Sequence, residues 1–150
     1  MKLKNEIWLE SIDELMNNPD IFSNYYTKIY DICNDLPYSF RNRLRYLRKC
    51  RGYTREKLEE KSNVSVQTIK QIENDAKRGY SVKTIVALCI GMNLPPEFSF
   101  ELIKKGGFNI ETNSGISNFV YCYILRNMYS LSIDDVNNFL LSIGIEPLTD

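Results

Sequence analysis

The order of stops and caps between Phe40 and Asn74 constrains this chain more than any other feature. Phe40, Leu44 and Leu47 recur at the i, i+4, i+7 spacing of one helical face, with Arg41, Arg45, Arg48 and Lys49 opposite. Gly52 stops that helix. Thr54 stands as the N-cap of the next, with Lys57 where a capping box would place an acid, and Leu58 is its main apolar anchor before it ends near Lys61. Ser62-Asn63-Val64 is a tight connection, and Asn63 is one of the few non-glycine residues that accept a positive φ. Ser65 caps a third short helix whose inner side is Ile69 and Ile72 and which ends near Asn74. Two helices joined by so short a turn have the shape of a helix-turn-helix unit.

Similar punctuation divides the rest of the chain into helical segments, with no alternating apolar run, internal repeat or low-complexity tract, so the expected class is all-α. Ile7, Trp8, Ile12, Leu15 and Met16 form a stripe over residues 5–17. Ile21, Phe22, Tyr25, Tyr26, Ile29, Ile32 and Cys33 form another over residues 21–35, closed by Pro37, and such an aromatic stripe is expected to be core. Ser81 caps a helix carrying Val82, Ile85, Val86, Leu88 and Cys89, with Gly91 inside it at a cost of about 1 kcal/mol relative to Ala. Pro95-Pro96 opens the next, with Phe98, Leu102 and Ile103 inward, and Gly106-Gly107 closes it. Beyond Gly107 a separate unit is expected, with one helix over residues 116–128 and another capped by Ser132 that runs to Ser142. The division read from these marks is 1–39, 40–106 and 107–150.

Several function classes drop out. The chain contains no histidine, which removes Ser-His-Asp and Cys-His nucleophiles and histidine acid–base chemistry, and argues against a zinc site. Cys33, Cys50, Cys89 and Cys122 form no C-x-x-C pair and are expected to be buried free thiols. There is no glycine-rich phosphate loop, and Asp134-Asp135 sit where acids complement a helix N-terminus. No enzyme, metal or cofactor is therefore expected. No apolar run approaches the roughly 18 residues that span a bilayer. Met1 to Glu6 turns acidic before an apolar stretch develops, so neither a membrane span nor a signal peptide is expected, and a cytoplasmic protein is.

The formal net charge is zero, but its distribution is uneven. Residues 1–39 hold three basic and seven acidic side chains, a net of −4; residues 40–105 hold fifteen and seven, +8; residues 106–150 hold one and five, −4. A basic block between acidic flanks suits the phosphate contacts that dominate DNA affinity.

Phe40 to Ile103 resembles the Cro/C1-type (Xre-like) helix-turn-helix domain of phage repressors and bacterial regulators. The matching stretches are Arg43-Leu44-Arg45-Tyr46-Leu47-Arg48, Gly52-Tyr53-Thr54-Arg55-Glu56-Lys57-Leu58, Val64-Ser65-Val66-Gln67-Thr68-Ile69 and Ile72-Glu73, continued by Ser81-Val82-Lys83-Thr84-Ile85 and Asn93-Leu94-Pro95. The resemblance implies a five-helix, lambda-repressor-like bundle, here with additional N- and C-terminal helices, and places the helix that starts at Ser65 in the major groove. Carried onto these positions, Val66, Gln67, Lys70 and Gln71 read bases. Thr54 and Arg55 hold a phosphate at a helix N-terminus, with Arg41, Arg51, Lys77 and Arg78 as further phosphate candidates. It also implies that Arg48 and Glu73 form a structural ion pair. This sequence departs from the family at Glu59, where a small residue is usual, at Ser62, usually apolar, and at Asn63, usually glycine. The function so implied is a sequence-specific transcriptional regulator that binds double-stranded DNA as a homodimer. The alternative is a protein-interaction module that uses the same scaffold to bind another regulator or a controlling protease.

Overall fold

Four residues with N-cap chemistry accept the backbone N–H that a cap requires. Thr54 Oγ1 accepts from Lys57 at 3.0 Å, Ser65 Oγ from Thr68 at 3.1 Å, Ser81 Oγ from Thr84 at 3.3 Å and Ser132 Oγ from Asp135 at 3.1 Å. They mark helix starts in the computed structural model, which describes residue 17 and residues 19–74 and 80–150. Among these residues there are eight α-helices and no strand. They are α1 Pro19–Asp35, α2 Phe40–Cys50, α3 Arg55–Ser62, α4 Val66–Asn74, α5 Val82–Gly91, α6 Pro96–Lys105, α7 Ile116–Asn127 and α8 Ile133–Ser142. The expected stripe from Ile7 to Met16 lies outside the described residues.

The arrangement follows from α5. Every residue from Ile85 to Ile90 is buried, and a helix apolar all round has to be enclosed. Helices α3, α6, α7 and α8 all pack on it, while α2 packs on α4 and α6, and α1 on α6. The helices after Gly107, expected as a unit of their own, therefore share one core with the rest. Ile124, Leu125, Val136 and Leu140 are fully buried in the same cluster as Ile85 and Leu88. Asn93, at φ 49°, ties this layer down: its Nδ2 donates to the carbonyls of Tyr129 (2.9 Å) and Leu131 (3.3 Å). Lys83 pairs with Glu146 at 3.2 Å.

The stripe on α1 is only partly core. Ile29 and Ile32 are buried and Cys33 is half-buried, whereas Tyr26 is exposed, because α1 packs against α6 and the outer edge of its stripe faces solvent.

One close approach sets the turn. A Cβ added at Gly91 would lie 2.6 Å from Ser62 Cβ and 2.9 Å from Ser62 Cα, so α5 and the end of α3 meet nearly backbone to backbone. Ser62 is fully buried; its hydroxyl donates to the Leu58 carbonyl at 2.7 Å and accepts from Val64 N–H at 3.1 Å. Asn63 follows in the left-handed region at φ 58°, as its side chain permits.

Candidate DNA-binding surface

Helix α4 has nine residues, too few to be stable alone, so the contacts that hold it also aim its outer face. Ile69 and Ile72 anchor it inward. At its start the Val66 N–H donates to Glu59 Oε2 at 2.7 Å, satisfying one of the orphan donors of the first turn. At its end Arg45 Nη2 donates to the Glu73 carbonyl at 2.8 Å and to Asn74 Oδ1 at 3.0 Å, and Arg41 Nη1 reaches the Asn74 carbonyl at 3.5 Å. Guanidinium groups there satisfy orphan acceptors and complement the helix dipole.

Beneath this end lies a charged centre. The fully buried Glu73 carboxylate accepts Arg48 Nε at 3.0 Å and Arg48 Nη2 at 2.7 Å, a bidentate pair that ties α2 to α4. Arg48 Nη1 also donates to the Tyr53 carbonyl at 2.9 Å. Arg55 Nε stands 3.4 Å and Arg45 Nε 3.9 Å from Glu73 Oε1. Three guanidinium groups around one carboxylate leave net positive charge. It lies beside a cleft lined by Arg45, Arg48, Lys49, Thr54, Arg55, Glu56 and Asn74, at the N-terminus of α3. Positive charge and a helix N-terminus both favour an anion there.

The residues expected to read bases occupy one outward face of α4: Gln67 and Lys70 are exposed, and Val66 and Gln71 are half-buried at its margins. Thr54 and Arg55 line the cleft. Arg41 and Arg51, expected at phosphate, have partners within the chain. Arg41 reaches the end of α4, and Arg51 lies over the Tyr53 ring at 5.2 Å with Nη2 donating to Tyr53 Oη at 3.2 Å. Lys77 and Arg78 lie outside the described residues. Sequence reasoning missed Arg45 as a cleft residue, although it is on the same basic face as Arg41 and Arg48. It also missed Glu59 as a cap, for which a carboxylate seven residues before Val66 gives no local signal.

Among the described residues no group of His, Cys, Asp and Glu side chains is placed to hold a metal ion. The four cysteines are free. Burial pushes the Cys33 thiol up to about 11 and the Cys89 thiol up to about 12, so neither is a thiolate nucleophile near neutrality. No helix among the described residues is long and apolar enough to cross a membrane.

Residues 44–99 match the helix-turn-helix family of the Cro/C1 (Xre-like) type. This segment is a helix-turn-helix domain. The match runs from α2 into α6, and α1, α7 and α8 lie outside it. Its family is one of DNA-binding domains. No curated protein and no solved structure gives a significant match to the chain. Within the domain, the departures at Glu59, Ser62 and Asn63 each have a structural use: Glu59 caps α4, Ser62 seats against Gly91, and Asn63 adopts the positive φ of the turn.

Proposed function

We propose that the chain is a cytoplasmic, sequence-specific transcriptional regulator that acts as a homodimer on a two-fold symmetric operator. The outer face of α4 carries this reading, because Gln67 and Lys70 project from a helix held at both ends. Gln67 and Gln71 are suited to adenine edges, Lys70 to guanine and Val66 to a thymine methyl. The +8 charge of residues 40–105 supports phosphate contacts by Arg41, Arg51, Thr54, Arg55, Lys77 and Arg78. One such domain reads a half-site, and a second copy supplies the other half about one helical turn away.

Selection of bound sites from random double-stranded DNA, at two salt concentrations, tests the reading. Inverted half-sites are expected. Gln67→Ala and Gln71→Ala should each relax the preference at individual positions, at about 1–3 kcal/mol apiece. Arg55→Ala should weaken all sequences alike and lower the salt slope by about 1. No enriched site, with both glutamine variants behaving as wild type, refutes it. The alternative, a protein-interaction scaffold for another regulator or a protease, is motivated by the departures around Glu59 and the zero net charge. Those residues hold the turn and α4 in place, which favours the DNA reading.

A further inference from the structure

Several large apolar side chains are exposed along one continuous strip of the C-terminal layer. On α7, Ile116, Phe119 and Tyr123 follow at i, i+3 and i+7, hence on one stripe, and are 73%, 73% and 50% exposed. The Tyr123 ring stacks on Phe139 of α8 with centroids 6.4 Å apart. Ile143, four residues after Phe139 and 47% exposed, continues the patch. Over residues 116–127 and 139–143 the only charged side chain is Arg126. Its guanidinium is drawn to Glu111 at 3.1 Å and over the Phe100 ring at 4.7 Å.

We propose that this patch is the contact through which two copies of the chain pair about a two-fold axis. This deepens the homodimeric reading above and rests on it. Area argues for a second copy. With covered aromatic side chains at about 150–250 Å², the exposed parts of Ile116, Phe119, Tyr123 and Ile143 offer roughly 450 Å² of apolar surface. A standard interface takes about 800 Å² from each partner, rather more than half of it apolar, so the patch supplies the apolar share of one interface in one place. Its aromatic content and lack of free charge match an interface core. Its placement fits too: α4 packs on α2 and α3, α7 and α8 pack on α5 with α7 also on α6, and α8 meets the turn before α4 at its start, where Asn63 Nδ2 donates to Asp134 at 3.2 Å, whereas Phe139 and Ile143 of the patch lie toward its other end. Pairing through α7 and α8 thus leaves the outer face of α4 open and completes a reading surface that a single copy provides only by half.

The test is the mass of the full chain in solution, by light scattering and sedimentation at micromolar concentration. It compares wild type, Phe119→Glu, Ile116→Glu and Tyr30→Glu, with unfolding temperatures read alongside. Wild type is expected at twice the chain mass. Phe119→Glu and Ile116→Glu should each weaken the dimer by about 30-fold or more while melting near wild type, since both positions are already mostly solvated. Tyr30→Glu, at an aromatic on α1 that is also mostly exposed, should stay dimeric. A wild type that is monomeric both alone and on a selected DNA site overturns the proposal, as does a dimer indifferent to both glutamates, or one that Tyr30→Glu dissociates equally. The two readings fail separately. If selection yields no DNA site but Phe119→Glu still dissociates the dimer, the regulator reading falls and the patch stands. If a site is bound by monomers, the patch falls and DNA reading stands.

Discussion

Replacing Glu73 by leucine tests how the reading helix is held. The substitution removes a carboxylate that takes two hydrogen bonds from Arg48, at 3.0 and 2.7 Å, and leaves a guanidinium that is only 8% exposed. Stranding a buried charge in this way costs about 3–5 kcal/mol. For a domain of this size each kcal/mol lowers the melting temperature by about 2–4 °C, so a fall of roughly 6–20 °C is expected. Arg48→Met should cost less, within the about 0.5–3 kcal/mol of an ordinary substitution, because Arg55 and Arg45 remain near the carboxylate. The double variant Arg48→Met/Glu73→Leu should recover much of the sum, giving a coupling energy of about 2 kcal/mol. Urea unfolding followed by circular dichroism measures all three, with an unchanged m-value as the condition for comparing midpoints. If Glu73→Leu costs under about 1 kcal/mol, or if the single losses add to within about 0.5 kcal/mol, the buried pair is not what holds α4.

Gly91→Ala should destabilise by about 1–3 kcal/mol in a thermal melt, despite alanine's better helix propensity, because its Cβ would stand 2.6 Å from Ser62 Cβ. A stabilised variant would show that α3 and α5 have room to separate. Glu59→Ala should cost about 0.5–2 kcal/mol and speed hydrogen exchange at the Val66 amide first, since that N–H loses its cap; unchanged exchange there would exclude the capping role. Burial raises the Cys89 thiol from 9.0 to about 12, so the folded state keeps a proton that the unfolded chain releases. Stability from this group is present below about pH 9 and is lost as pH rises toward 12, and Cys89→Ala should flatten that decline in unfolding midpoints measured across the range.

What was legible in the sequence was local. Thr54, Ser65, Ser81 and Ser132 each cap because a side-chain oxygen reaches an N–H three residues on, and Asn63 turns the chain because its own side chain tolerates a positive φ. The partners of Arg41 and Arg51 within the chain were not legible, because where a long side chain rests depends on what folding brings beside it, here the end of α4 and the Tyr53 ring. Gly91 read as a helix penalty because its partner, Ser62, lies in another helix.

By itself, then, the sequence determined the helices from α2 to α8, their order, the tight turn at Asn63 and the basic block that contains it. Each of these depends on residues a few places apart in the chain. Only the tertiary structure decided that α7 and α8 close over α5, that Glu59 caps α4, and that several arginines converge on Glu73 and the last carbonyls of α4. Those outcomes follow from which surfaces meet when the apolar Ile85 to Ile90 run of α5 is enclosed, and periodicity along one helix does not say which neighbours will enclose it.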